Sequence, residues 1–545
     1  MRNPQTNTGM ALHLLLQLVP GLATAWSGGS DAMPMPFPLP VNYSMGVCGN
    51  DPGLRPNCST FMVFAINPTV HCSAKLGCSK RCTSSPLFQQ AFSRYTSRLG
   101  SSGSSSDTSR SDTGHPAPPG VITAVEVCVT DDSEELGAET DEPYTVAVPA
   151  AATAVPTVTA ATIFGAMHGL ETLTQLTDVR SNGAKTIRSA PVKISDAPRY
   201  SYRGLMIDSG RHFLPVAHIK RTIAAASMVK LNVIHWHLVD TTSFASCSKL
   251  YPQLCQRGAY PNNGSESLGG PFTGVPKAVY TVEDLTDIVE FAKDHGVRII
   301  PEWDVPGHGG WYMGMPELAT SACNDALDVT RPELYDFLRA FLLEMGGIFF
   351  ERVLSLGGDE LGTPCFDKSP TIAAWMKARG LNASSTQQYF WQQMTAKVFP
   401  HLNKTVSVWR ADNPDNGAHA VNLPAGSVMN VYQNLTTAWR QTIPAKIKTV
   451  VSIANQGWCE CNRHHPCILP SRQWHMCCSH TLAAGSIVCR PRWPGPGLQP
   501  ECLDLHLLVR GRQRLVARRP HVVGRAARAV PRWRDRHLER GDQRR

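Results

Sequence analysis

Two carboxylic acids stand side by side where an apolar run ends: Val353-Leu354-Ser355-Leu356-Gly357-Gly358-Asp359-Glu360. The apolar stretch reads as a buried strand, and the glycine pair lets the chain turn there. Neighbours on a strand point to opposite faces, so Asp359 and Glu360 can share one site only at a strand end, where the backbone bends. Adjacent acids at such a bend suit glycosidic bond cleavage. That reaction needs one carboxyl that can hand over a proton and a second group that handles positive charge near the anomeric carbon. In isolation Gly-Gly-Asp-Glu reads first as a surface turn with two solvated acids. The surrounding pattern decides between the two.

After Pro198 the chain alternates strand, loop and helix. Strands are predicted at Tyr202–Asp208, Leu231–Leu238, Arg298–Trp303, Val353–Leu356, Thr405–Trp409, Ser427–Tyr432 and Thr449–Ile453. Pro215 opens a helix to about Val229, with Ile219, Ile223 and Met228 on one stripe. Thr281 caps another, with Asp284 as its third helical residue and Gly296 as its stop. Arg331-Pro332 begins one that ends near Gly346. Repeated β-then-α units call for parallel strands, and this many of them for a (β/α)8 TIM-type barrel over residues 198–455. The eighth strand is the one the pattern leaves open. Polar clusters follow the carboxyl ends of the strands: Asp208-Ser209-Gly210-Arg211-His212, His235-Trp236-His237-Leu238-Val239-Asp240, Glu302-Trp303-Asp304-Val305-Pro306-Gly307-His308, the acid pair, and Val408-Trp409. Barrel active sites are built on that face.

Before the barrel, residues 32–190 read as a small α+β domain, with strands at Thr60–Ile66, Val121–Val129 and Tyr144–Val148 and a helix at Thr162–Leu176. Ala32–Pro40 is Pro-rich and extended, Ala151–Ala160 has little pattern, and Arg94–Gly120 reads as a flexible Ser/Gly-rich insertion. Residues 1–25 have the character of a secretory signal: Arg2, an apolar run from Met10, and small residues at Ala23 and Ala25. The run is too short and too interrupted by His13, Gln17 and Pro20 to span a membrane. Six sequons, at Asn42, Asn57, Asn263, Asn382, Asn403 and Asn434, fit the same route. So do six cysteines between Cys48 and Cys128, which imply a disulfide-braced N-terminal region. The expected destination is the lysosome or the cell exterior.

The net charge of +9 does not imply a nucleic-acid partner. Residues 501–545 hold thirteen Arg, no Lys and five acids, a local +8 that leaves the rest of the chain near neutral.

On these motifs the chain resembles glycoside hydrolase family 20, the β-N-acetylhexosaminidases. The resemblance runs from about Phe37 to about Ile453. It includes Glu142-Pro143-Tyr144-Thr145-Val146 and Gly165-Ala166-Met167-His168-Gly169-Leu170-Glu171-Thr172 in the small domain. In the barrel it rests on Tyr202-Arg203-Gly204, Arg211-His212, His235-Trp236-His237, Pro306-Gly307-His308 and Gly357-Gly358-Asp359-Glu360. It implies hydrolysis of terminal β-linked N-acetylhexosamine in which the substrate's own acetamido oxygen attacks the anomeric carbon. Glu360 then matches the general acid, and Asp359 the acid that orients the acetamide N–H. Asp240 and His308 match a pair that tunes Glu360. Arg211 matches a grip on sugar hydroxyls, for which its fork of donors is suited. Trp409 matches an aromatic wall around the acetamide methyl. Tyr432 stands where the family usually has a second pocket Trp. Cys323 and Cys365 match a disulfide bracing the neighbouring loops. The implied partner is a glycan or glycoconjugate. No cofactor or metal is called for, no membrane span is expected, and a homodimer is compatible with the family.

The resemblance ends in departures. After the seventh strand the family has Trp-Tyr-Leu-Asp, where this chain has Asn455-Gln456-Gly457-Trp458-Cys459-Glu460-Cys461. The family's eighth-strand Trp-Gly-Glu is missing. Residues 456–545 read as irregular, and their Arg-rich, Lys-free tail resembles a translation out of frame. One choice of codons for Val522–Pro531, read one base later, spells Trp-Trp-Gly-Glu. A chain lacking the last strand is expected to be poorly stable and weakly active. Two other classes fit parts of the pattern: a catalytically impaired sugar-binding protein, and a zinc hydrolase using His235-x-His237 with His308 and Asp359.

Overall fold

A computed structural model of the chain describes residues 42–45, 62–101, 120–149, 155–187, 190–259, 278–320, 326–359, 361, 364–410, 423–431, 446–452 and 506–509. The polar strand ends belong to a closed barrel. Its strands are β1 (Arg203–Asp208), β2 (Val233–His237), β3 (Arg298–Glu302), β4 (Val353–Ser355), β5 (Thr405–Arg410), β6 (Val428–Val431), β7 (Lys448–Val451) and β8 (His506–Val509). β1 through β7 are parallel. Most of their residues are apolar because helices cover the outer face and packed side chains fill the inside, and the polar ones include the strand-end acids and histidines.

Two expectations are corrected here. The barrel does not end at residue 455, and the segment expected to be irregular supplies its eighth strand. β8 pairs antiparallel with both β7 and β1. An open barrel would leave two rows of unpaired backbone groups. The short apolar run Leu507-Leu508-Val509 meets that demand, although nothing in its flanks signals a strand.

The helices follow local rules. Val282–Asp294 begins in a capping box between Thr281 and Asp284 and is followed by Gly296 at φ +69°. Pro332–Ile348 starts with its proline in the first turn and buries Leu334, Leu338, Phe341 and Met345 against the barrel.

The small domain is an eight-stranded mixed sheet. Its long strands are Met62–Cys72, Gly120–Val129 and Tyr144–Val148, and the helices Ile163–Gln175 and Pro86–Leu99 share its core. Residues 94–99, expected to belong to the flexible insertion, are helical. Residues 102–119 lie outside the described residues. Thr157–Ala160, read as patternless, is a strand between two others. Disulfides Cys72–Cys82 and Cys78–Cys128 brace this domain, and Cys247–Cys255 ties a barrel loop. Cys48 and Cys58 lie outside the described residues. No helix among the described residues is long and apolar enough to cross a membrane.

Candidate active site

Backbone register does most of the assembly. Asp208 pairs with His237, His237 with Glu302, and Glu302 with Ser355 across four adjacent strands. All four residues therefore sit at one level at the carboxyl ends of β1 to β4.

His237 lies between two acids, with Nδ1 3.3 Å from Asp208 Oδ1 and Nε2 3.0 Å from Asp304 Oδ2. Burial opposes its charge, but Asp208 and Asp304 raise its pKa well above the ordinary imidazole value. Packing around Asp208 pushes that acid up, and His237 and Arg211 more than reverse this, so it stays ionised.

Arg211 reaches two carboxylates, through Nη1 to Asp208 at 3.0 Å and Nε to Asp240 at 3.1 Å. Asp240 is buried and lies 3.7 Å from His308 Nδ1, an ion-pair distance rather than a hydrogen bond. Burial pulls His308 down, yet Asp240, Asp359 and Asp304 together lift it to about 10. Burial raises Asp240, whereas His308, Arg211 and His237 bring it below its usual range.

Glu302 and Asp304 are two apart on β3 and the loop after it, so they share a face. Burial and the adjacent Glu302 charge raise Asp304 to about 8, with Asp359 adding to the effect and His237 opposing it. Burial also pushes Glu302 up, but His235, His237 and the Ser355 hydroxyl outweigh that and hold it ionised. Two acids this close do not both ionise, and Asp304 keeps the proton.

The glycine pair now has a reason. Gly357 and Gly358 have φ of +57° and +88°. A Cβ on Gly357 would stand 1.9 Å from Asp304 Oδ1, and one on Gly358 2.4 Å from the Trp391 ring. Only glycine lets the chain pass over Asp304 and deliver Asp359 beside it.

Among the sequence-predicted residues, Arg211, Asp240 and His308 come together, and Asp359 is near enough for its charge to act on His308 and Asp304. Trp409 is buried on β5 next to His235 and Glu302. Cys365 is disulfide-bonded. Glu360, Tyr432 and Cys323 lie outside the described residues.

Asp208, Glu302 and Asp304 stand in the sequence only as members of polar clusters, and His237 also in the His-Trp-His motif and the zinc set. The signal was present in His-x-His and Glu-x-Asp, where a period of two turns both members of each pair the same way. The zinc set His235, His237, His308 and Asp359 does not converge among the described residues. The potential ligand group found there is His237, Glu302 and Asp304. Asp208 and Asp304 favour the protonated form of His237, so an ion bound there would have to displace that proton.

Residues 200–486 match the model of the glycosyl hydrolase family 20 catalytic domain, and residues 36–176 the "beta-acetyl hexosaminidase like" model. The chain belongs to glycosyl hydrolase family 20. Within this family it is 38% identical to beta-hexosaminidase 1 of Arabidopsis thaliana over 277 residues, 49% of this chain and 48% of that one. It is 30% identical to beta-hexosaminidase subunit alpha of Rattus norvegicus over 384 residues, 68% and 67% of the two chains. The chain spans about half the length of several of the curated relatives it matches. In structure it is similar to a chitobiase of Flavobacterium johnsoniae, with a TM-score of 0.57 and 26% identity over 76% of this chain and 58% of that one. A family 20 domain is a TIM-type barrel behind a small domain, the architecture described above.

Proposed function

We propose that this chain is an exo-acting β-N-acetylhexosaminidase. It would release terminal non-reducing GlcNAc or GalNAc from a glycan or glycoconjugate with retention of anomeric configuration. In this reading Glu360 protonates the leaving oxygen while the acetamido oxygen attacks the anomeric carbon. Asp359 accepts the acetamide N–H and stabilises the charge that develops there, an interaction strongest in the transition state. Water then attacks the anomeric carbon and breaks its bond to the acetamido oxygen, opening the oxazolinium ring, while the Glu360 carboxylate takes the water's proton. Arg211 holds hydroxyls, Trp409 and Tyr432 wall the acetyl group, and Asp240 with His308 tunes the acid.

The observation that carries the reading is the Arg211–Asp240–His308 chain meeting Asp359 on the glycine turn at the barrel mouth. Family membership supplies the reaction class. The test is Glu360→Gln, assayed on an aryl β-N-acetylglucosaminide. The expected loss is about 10²–10⁴-fold in kcat. An aryl β-glucoside, which has no acetamide, should be cleaved far more slowly by the parent chain. Equal cleavage of the two substrates would falsify substrate assistance.

One observation favours a second reading, a catalytically impaired sugar-binding protein. β8 runs antiparallel, so its carboxyl end is at the face opposite the other seven. Robust turnover of a chromogenic β-N-acetylglucosaminide by this chain rejects that reading. The out-of-frame origin of residues 456–545 is part of the same proposal. Sequencing the transcript across codons 450 to 525 tests it, and an uninterrupted frame rejects it.

Passage through the secretory pathway to the lysosome or exterior is proposed from the signal-like residues 1–25 and the disulfides. Its test is the presence of N-glycans on the purified protein, and Asn382 and Asn403 are exposed. Self-association is proposed from the family alone, and sedimentation velocity gives the mass that checks it.

A further inference from the structure

The cluster beneath the site contains one acid to which no role has been given. Glu302 is fully buried. A single oxygen, Oε2, accepts from Trp409 Nε1 at 2.9 Å, meets His235 Nε2 at 2.9 Å, and accepts from the Ser355 hydroxyl. His235 lies parallel to the Trp409 ring, with centroids 5.4 Å apart and 11° between planes. The indole is thus held twice, by its N–H and by one face. A Trp side chain has two free torsions, and these two contacts fix both.

We infer that Glu302 is a positioning residue that sets the depth of the acetyl pocket by locking the Trp409 indole, so that the enzyme discriminates N-acyl groups by size. The inference rests on the reading of Trp409 as the acetamide wall. The carboxylate is suited to the task. An ionised acceptor binds an N–H about twice as strongly as a neutral one, and Glu302 and Trp409 are both buried. Ser355 and His235 hold the carboxylate in turn, so the indole is oriented by a chain of packed groups on β2, β4 and β5. Glu302 touches no reacting atom in this account. Its removal should change which acyl groups fit before it changes the chemistry.

The experiment compares the dissociation constants of methyl β-N-acetylglucosaminide and methyl β-N-butanoylglucosaminide by ligand-observed NMR. This readout does not require turnover. The parent chain should prefer the acetyl ligand by about 10–100-fold, the scale for misfitting methylenes in an apolar pocket. Glu302→Gln should reduce that preference about tenfold. Trp409→Phe, which keeps an aromatic ring and deletes the N–H, should do the same while leaving the Glu302 carboxylate its His235 and Ser355 partners, and it serves if Glu302→Gln does not fold. The double variant should be no worse than either single one. A preference unchanged in Trp409→Phe, or acetyl and butanoyl affinities falling together in Glu302→Gln, overturns the inference and leaves Glu302 a structural acid. A parent chain that binds both ligands equally overturns the Trp409 reading itself. That failure is visible before any variant is made.

Discussion

Two buried charge networks lie at different places in this molecule, and they are balanced differently. One ties the small domain to the barrel. Glu142 accepts both Arg203 Nη1 and Nη2 at 2.9 and 2.8 Å and is met by His168 at 3.0 Å and Asn232 at 3.2 Å. One acid has several donors, so burial is overcome and its pKa stays low. Lys230 sits nearby, donating to Tyr144 at 3.0 Å, and burial lowers its pKa to about 8. The other network is the barrel mouth, where Asp208, Asp240, Glu302, Asp304 and Asp359 gather around Arg211, His235, His237 and His308. Acids outnumber cations, and one carboxyl keeps a proton at neutral pH. A saturated network holds elements together. An unsaturated one stores charge that a substrate can use, which is why perturbed groups gather at working sites.

The largest effect is expected at the domain seam. Arg203→Ala leaves Glu142 buried with its main partner gone and should cost about 3–5 kcal/mol of stability, read by urea unfolding. The fraction that remains folded should keep its ligand affinity. At the mouth the expected pattern is reversed. Asp359→Asn should lower kcat by about 10²–10³-fold with an unchanged melting temperature, as for loss of a group that stabilises developing charge. A destabilised Asp359→Asn, or an inactive but stable Arg203→Ala, would erase the distinction.

Smaller in effect is the pH dependence. Asp304 has a folded pKa raised to about 8 from 3.8, so its contribution to stability is lost as pH climbs from about 4 to 8. His308, raised to about 10, contributes fully below 6.5 and loses that contribution as pH rises through 10. Asp208, Asp240, Glu142 and Glu302 are lowered, so theirs is present above about 4 and lost in stronger acid. Melting temperature should therefore peak on the acid side of neutral, and Asp304→Asn should flatten the decline between pH 5 and 8. The smallest effect is outside both networks. The exposed pair Lys220–Asp287, at 2.6 Å, should be worth under about 1 kcal/mol, checked by Lys220→Ala.

Local signals were readable to within a residue or two. The Thr281–Asp284 capping box with Gly296, the Thr162 cap, and the strand Tyr144–Val148 are written in short-range residue types. The helix Pro86–Leu99 was equally legible. Ser85-Pro86 opens it, and Leu87, Phe88, Ala91, Phe92, Tyr95 and Leu99 form its buried stripe, although it is not among the elements expected above and its last turn runs into the Ser-rich tract. Asp178–Val179 and Lys185–Ile187 were not legible, since two or three residues carry no period. β8 was hidden for the related reason that only the unpaired edges of β7 and β1 ask for it.

Residue types and spacing determined by themselves that a barrel carries acids at its strand ends and that Gly357-Gly358 precedes the pair, because alternation and turn chemistry act over a few residues. Tertiary structure alone decided which acid keeps its proton and which groups hold which. Asp304 keeps its proton because it is buried with the charges of Glu302 and Asp359 beside it, against the opposing pull of His237, and Trp409 meets Glu302 across 107 positions of chain. Charge interactions and hydrogen bonds depend on distance in space, and that distance is set by how the strands register around the barrel.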